Sequence, residues 1–424
     1  MSDATPAIHT LSNGVRVVCD PMPGLETLAL SVVVGRGSRW ETQAQSGWAH
    51  LLEHMVFKGA GERSARDIVE VIEAEGGQIN AATGHDRTSY QVRALRGGLQ
   101  LGAEVIADLV WRPTIRADDL EREKTVINQE IAEAADTPDD LVFELAQAQA
   151  FAGQPLGRPI LGEPKTVATA TAESLTAFHA GLYGPDAIVI GAAGAVDEND
   201  LLRLTERLFA EPAKAPAPPP ALPARFAGGQ VGKAKALEQA HLVLLLPAFG
   251  VRDPDYFALR LFAEILGGGM SSRLFQEVRE HRGLAYAIDA YADTHADAGV
   301  LGVYAGTSAE DATEAAKVSA GQVKAMTRGV EAAELARAKA QMKSATFMAR
   351  ESALARAEQA AGQVLVFDRL FSPSETALSI DAVTADDIVR VGMRLLAERA
   401  CACAVLGPKR SIGAGRAYED ALFG

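Results

Sequence analysis

The two halves of this chain align on each other, and that self-similarity constrains the fold more than any other feature. RADDLEREK, beginning at Arg116, lines up with EAAELARAK, beginning at Glu331, an offset of 215 residues. TAESL at Thr171 lines up with TADDI at Thr384, an offset of 213, and AHLLEHMVFKGA from Ala49 meets ALRLFAEILGGG from Ala258 at 209. Offsets that agree to within a few residues mark two copies of one unit. Between the copies EPAKAPAPPPALPARFAGGQ, residues 211–230, is rich in Pro and Ala and reads as an extended, stiff connector. The expected division is 1–210, a connector at 211–230, and 231–424.

Strands and helices interleave within each copy. TLALSVVVG reads as a strand, SGWAHLLEHMVF and SARDIVEVIEAEGG as helices, and QINAATGHDRTSYQVRAL as two strands around a Gly-containing turn, which must pair antiparallel. Helices follow at LQLGAEVIADLVW and RADDLEREKTVINQEIAEA, and a strand at DAIVIGAAG precedes the helix DENDLLRLTERLF. Hairpins combined with long helices imply α+β units, each an antiparallel sheet covered by helices.

Composition narrows the function class. A hydrophobic share of 48% with 23% charged residues is that of a folded protein. The formal charge of −14 argues against nucleic-acid binding, which needs Lys/Arg clusters to meet phosphates. The longest apolar runs, AHLVLLLPAF and DAIVIGAAGAV, are about half of the ~20 residues a membrane span requires. The N-terminal sequence lacks the pattern of a signal or transit peptide, so the expected location is cytoplasmic and no membrane partner is expected. Cys19, Cys401 and Cys403 cannot all pair, and the last two alternate along one strand, so reduced, buried thiols are expected.

GWAHLLEHMVFKG, Gly47 to Gly59, places three ionisable side chains in an apolar helix. Positions i, i+3 and i+4 share a helix face, so His50, Glu53 and His54 point into one small volume. Two imidazoles four residues apart can bind Zn²⁺ through one nitrogen each. The carboxylate between them is placed to take a proton from metal-bound water, whose pKa zinc lowers to about 7. An ordinary amphipathic helix is the alternative for any one His pair. With eight histidines in the chain, though, H-x-x-E-H arises by chance in roughly one such sequence in a hundred. A catalytic zinc needs a third protein ligand. The helix around EREKTVINQEIAEAADTPDD offers Glu121, Glu123, Glu130, Glu133 and several aspartates; Glu123 and Glu130 share a face, and composition does not choose among them.

These residues resemble the pitrilysin-like metallopeptidases with the inverted zinc motif, in particular the branch of mitochondrial processing peptidase and its bacterial relatives. GSRWET, GWAHLLEHMVFKG, GGQINAATGHDRTSYQV, PLGRPILGE, YGPDAIVIGAAG and LGGGMSSRLFQEVREHRGLAYAIDAY occur in the family's order, over nearly the whole chain. The resemblance implies Glu130 as third zinc ligand, one zinc per chain, and Glu123 as a second glutamate supporting the site. It implies that Arg279 and Tyr286, in REHRGLAY, contact substrate near the scissile bond, with Arg282 the weaker candidate. It further implies that QINAATG is an edge strand along which a peptide lies, Asn80 contacting it, while His85 in the adjacent turn is expected to be exposed. LGGGMSSRLF lacks the ending of a phosphate-binding loop and reads as a helix-to-helix turn.

The activity implied is that of a zinc metalloendopeptidase, with Glu53 as general base, acting on unfolded peptides or small precursor proteins. Family architecture adds a clamshell chamber formed with a partner half, and a homodimer is the simplest assembly. The alternative is a non-catalytic or regulatory subunit of a heteromeric peptidase. Leu259, Phe262, Ala263 and Ala345 stand where the first copy has His50, Glu53, His54 and Glu130, so the catalytic copy is the first.

Overall fold

A computed structural model describes residues 5–210 and 216–424; the first five connector positions, 211–215, lie outside the described residues. The first half of the chain contributes β1 (Ile8–Thr10), β2 (Arg16–Pro21), β3 (Thr27–Val34), the short ribbon β4 (Gly59–Ala60) and β5 (Arg63–Ser64), β6 (Gln78–Thr83), β7 (Thr88–Leu95) and β8 (Ile188–Gly194). The second contributes β9 (Gly229–Ala234), β10 (Ala240–Ala248), β11 (Ala285–Thr294), β12 (Gly299–Thr307) and β13 (Ala402–Gly407). The connector ends by entering β9, so its last two residues, Gly229 and Gln230, are strand.

One sheet has the order β1-β2-β8-β3-β7-β6 and the other, read in the same sense, β9-β13-β10-β12-β11. Matching β2 with β9, β8 with β13, β3 with β10, β7 with β12 and β6 with β11 recovers the repeat strand by strand. The equivalent helices Ala172–Leu182 and Ala385–Ala397 even start on the same device, a threonine N-cap, Thr171 and Thr384, whose hydroxyl accepts from the amide three residues on. The sheets are not wholly antiparallel as expected. β2 with β8 and β9 with β13 pair in parallel, because the long connection between each pair allows the crossover that parallel strands need.

The two compact units also depart from the division at 211–230. One comprises Met1–Ile131, Pro159–Leu222 and Thr346–Pro373; the other comprises Ala132–Arg158, Pro223–Ala345 and Ser374–Gly424. The cause is visible in the strands. In β3, Leu28, Leu30, Val32 and Val34 face one core, while Val33, with Val18 and Val189, faces another made with Ala360, Ala361 and Val364 of the helix Ala353–Phe367. A strand buried on both faces reads as a continuous apolar run, and the helix covering its second face comes from the distant half of the chain. In the other unit Leu242, Leu244 and Leu246 of β10 face one core, and Val243 and Leu245 pack with Val142, Ala146 and Ala150 of the helix Pro138–Ala150.

β6 lies at the edge of the first sheet, paired only with β7. Among the described residues no helix is long and apolar enough to cross a membrane. Cys19, Cys401 and Cys403 are buried free thiols, and LGGGMSSRLF does join two helices.

Candidate metal centre

The helix Trp48–Val56 buries Trp48, Leu51, Leu52, Met55 and Val56 in the first unit's core. That apolar stripe leaves His50, Glu53 and His54 on the flank facing a second helix, Ala117–Asp136. The imidazoles of His50 and His54 stand 4.7 Å apart between ring centroids. Their Nε2 atoms lie 3.8 and 3.7 Å from the two carboxylate oxygens of Glu130. These separations are too long for hydrogen bonds. Two ligands of one tetrahedral zinc, each at ~2.0–2.1 Å, stand about 3.3–3.5 Å apart. One ligand atom from each of His50, His54 and Glu130 fits within 4.8 Å of the others, so the three donors surround a space of the size an ion fills.

The other glutamates of that helix are not among the donors that meet there. Glu123 is buried; its Oε2 lies 3.0 Å from His54 Nδ1, and its Oε1 lies 2.8 Å from Lys58 Nζ. With Nδ1–H donating to Glu123, the lone pair of His54 stays on Nε2, toward Glu130. Glu121 pairs with Lys124 at 2.7 Å and, like Glu133, is exposed. Burial, and next the charge of His54, pushes the pKa of His50 down to about 4. Its imidazole is therefore neutral at pH 7, the form that ligates a metal. His50 Nδ1 is buried without a hydrogen-bond partner.

Burial raises the pKa of Glu53. The nearby hydroxyl and amide of Thr83, at the end of β6, partly offset this, although neither Glu53 Oε2 nor the Thr83 hydroxyl closes a well-formed hydrogen bond. A raised carboxyl pKa at a metal-binding cluster suits a group that accepts and returns a proton. Glu53 and His54 open onto a cleft of about 590 Å³ whose walls include Phe57, Lys58, Ile79 and Asn80. Asn80 is exposed on edge strand β6. His85 is not exposed as expected; it is half-buried, its Nδ1 3.0 Å from the Ser38 hydroxyl, because the β6–β7 turn folds over the 3-10 turn Ser38–Trp40.

Arg279 and Tyr286 come together in the second unit. Arg279 lies on a π-helix, Phe275–His281, with its guanidinium 4.7 Å from the Phe275 ring centroid and 5.7 Å from that of Tyr286. Tyr286 occupies a bulge in the pairing of edge strand β11 with β12 and is 76% exposed. A bulge leaves one residue unpaired and re-aims its side chain, here outward, with the hydroxyl open to a ligand. Arg282 is tied to Glu277 at 2.8 Å and to Glu314 at 3.6 Å, whereas the ion pair of Arg279 is a 3.9 Å contact with its neighbour Glu280. In the second unit Leu259, Phe262 and Ala263 are buried in the apolar core.

Two functional side chains escaped the sequence reading. Lys58 lies in the turn just past the end of the motif helix, with its Nζ 2.8 Å from Glu123 Oε1, and the signal was a cation directly after the motif. Glu41 precedes the motif helix and caps it, and the signal was an acid just upstream of a helix start.

Residues 16–164 match the insulinase family, peptidase family M16, and residues 169–342 match the peptidase M16 inactive domain. A protein of Rickettsia felis named an uncharacterized zinc protease is 35% identical over 407 residues, covering 95% of this chain and 97% of that protein. The chain belongs to peptidase family M16. A Streptomyces coelicolor protein, also named an uncharacterized zinc protease, is 34% identical over 419 residues and covers 97% of this chain and 91% of its own. In fold, the M16 chain is similar to the crystal structure of a protease from Helicobacter pylori, with a TM-score of 0.88 at 22% identity, over 96% of this chain and 100% of that one. The inactive-domain match falls on the part of the M16 chain that has apolar residues in place of the His/Glu cluster.

Proposed function

We propose that the chain is a zinc-dependent endopeptidase that hydrolyses unfolded peptides or small precursor proteins. One observation carries this reading: His50, His54 and Glu130 converge around an ion-sized space beside Glu53. Zinc held by His50, His54 and Glu130 would supply a Lewis acid for the scissile carbonyl and would make water a nucleophile at neutral pH. Glu53 accepts the proton of the attacking water at its carboxylate and returns it to the leaving amine nitrogen, so one group serves as base and then acid. Glu123 fixes the tautomer of His54 and is a positioning residue.

A peptide lies in the cleft as an added strand on β6, with Asn80 touching it; main-chain pairing tolerates many side chains, which suits varied substrates. Arg279 and Tyr286 donate hydrogen bonds to the carbonyl oxygen as negative charge develops on it. The working form is a homodimer with one zinc per chain, located in the cytoplasm. A quenched peptide incubated with chelator-stripped protein tests the reading. Hydrolysis must disappear on stripping and return with about one equivalent of zinc; full activity without metal would overturn it.

A further inference from the structure

One segment singled out in the sequence, GSRWET, has no part in the chemistry above, yet its glutamate is buried against the start of the motif helix. Glu41 is 4% exposed. Its Oε2 accepts from the amide of Gly47 at 3.0 Å, and its Oε1 accepts from the amide of Ala49 at 2.7 Å. The first amides of a helix have no partner within it, and the helix dipole is positive at that end. A carboxylate bonding two of them fixes the helix start through both charge and geometry. The next residue after Ala49 is His50.

The surroundings hold the same turn from the other side. Gly47 has a φ of +92°, and a Cβ there would meet Leu161 O at 2.6 Å. The Thr166 hydroxyl donates to Ser46 O at 2.7 Å, and Trp48 Nε1 donates to Thr166 O at 3.1 Å. The backbone from Ser46 to Ala49 is thus clamped between Glu41 and the Leu161–Thr166 segment. His50 sits within the first helical turn, whereas His54 is one turn further on and has Glu123 as its own support. His50 Nδ1 has no hydrogen-bond partner, so nothing bonded to its ring sets the imidazole's position. The backbone must do so.

We propose that Glu41 is a positioning residue for the metal centre: it holds the first turn of the motif helix in the geometry that presents His50 Nε2 to the ion. This rests on the zinc reading above. Fraying of that turn in its absence populates states in which His50 is not aimed, and the apparent metal affinity falls by the fraction of aligned molecules.

The test measures zinc affinity by chelator competition, alongside thermal unfolding, for wild type, Glu41→Gln, Glu41→Asp and a control, Asp197→Ala. Asp197 caps the helix Glu198–Phe209 in the same unit, and that helix packs on the helix Leu99–Trp111 and on β2, so loss of the cap weakens a helix start away from the motif helix. Glu41→Gln is expected to bind zinc about tenfold more weakly, within the range known for support residues around metal ligands. Glu41→Asp, which keeps the charge but is one methylene too short to reach both amides, should lie between Gln and wild type. Asp197→Ala should lose stability and keep wild-type affinity. Wild-type affinity in Glu41→Gln would overturn the proposal, as would an equal loss in Asp197→Ala, which would make the effect one of general stability. If Glu41→Gln does not fold, wild-type affinity in folded Glu41→Asp is the overturning result. Failure of the wild-type protein itself to bind zinc would overturn the zinc reading and this proposal with it.

Discussion

His54 Nδ1 lies 3.0 Å from a carboxylate oxygen of Glu123, and the other oxygen of that carboxylate lies 2.8 Å from Lys58 Nζ. A buried glutamate with both oxygens engaged is a support, whereas Glu130, with its oxygens 3.7 and 3.8 Å from two imidazole nitrogens, is placed as a ligand.

Glu123→Ala is therefore expected to weaken zinc binding about 10- to 100-fold while leaving all three ligands in place. Glu130→Gln removes a charged ligand and should weaken it further, and Glu133→Gln should bind as wild type. Chelator competition on the three purified variants checks the order; normal binding by Glu130→Gln together with loss in Glu133→Gln would assign the wrong carboxylate.

Tyr286→Phe removes one hydroxyl from an exposed bulge and touches no core. It should keep zinc content and thermal stability while kcat falls by about 10²- to 10³-fold, the cost of losing a donor to the developing oxyanion. A change confined to KM would show that Tyr286 binds substrate and transition state equally.

The proposed homodimer makes a separate prediction. If it sets Tyr286 of one chain against Glu53 of its partner, a dimer of one Glu53→Gln chain and one Tyr286→Phe chain holds one doubly damaged site and one intact site. Random exchange at equal amounts makes about half the dimers mixed, so activity should approach about a quarter of wild type. No gain over the parent variants on co-expression would mean that each chain completes its own site.

Residues 346–373 belong to the unit that carries His50, Glu53 and His54, and Ala361 is fully buried against its sheet. Ala361→Asp places an unpaired charge there and should cost about 4 kcal/mol or more, seen as lost zinc retention and a lowered Tm, although the position lies far from His50 in sequence. An unchanged Tm would contradict the assignment of this helix to that unit.

Local pattern made the motif helix, the β6–β7 hairpin and the two-fold repeat legible. His50, Glu53 and His54 share a face at fixed spacing, and the strands alternate or run apolar according to how many faces they bury. Which helix covers the second face of β3 was not legible, because Ala353–Phe367 is amphipathic by itself and nothing local states which sheet its Ala360, Ala361 and Val364 will meet. The same holds for Pro138–Ala150, for the parallel pairs, and for the partnership of His85 with Ser38, all set by tertiary contact. The π-helix carrying Arg279 and the bulge at Tyr286 insert residues into regular ladders and leave no periodic trace. The choice of Glu130 over its neighbours followed from family resemblance; in the structure it follows from the direction in which each carboxylate points.

The most direct measurement is hydrolysis of a quenched peptide by Glu53→Gln whose zinc content is determined in the same preparation. The substitution is nearly isosteric and removes the proton acceptor without removing a ligand. The expected result is about one zinc per chain, unaltered folding, and a rate lower by a factor on the order of 10² to 10⁴. Glu53→Gln that retains zinc and cleaves at the wild-type rate would contradict the assignment of Glu53 as general base.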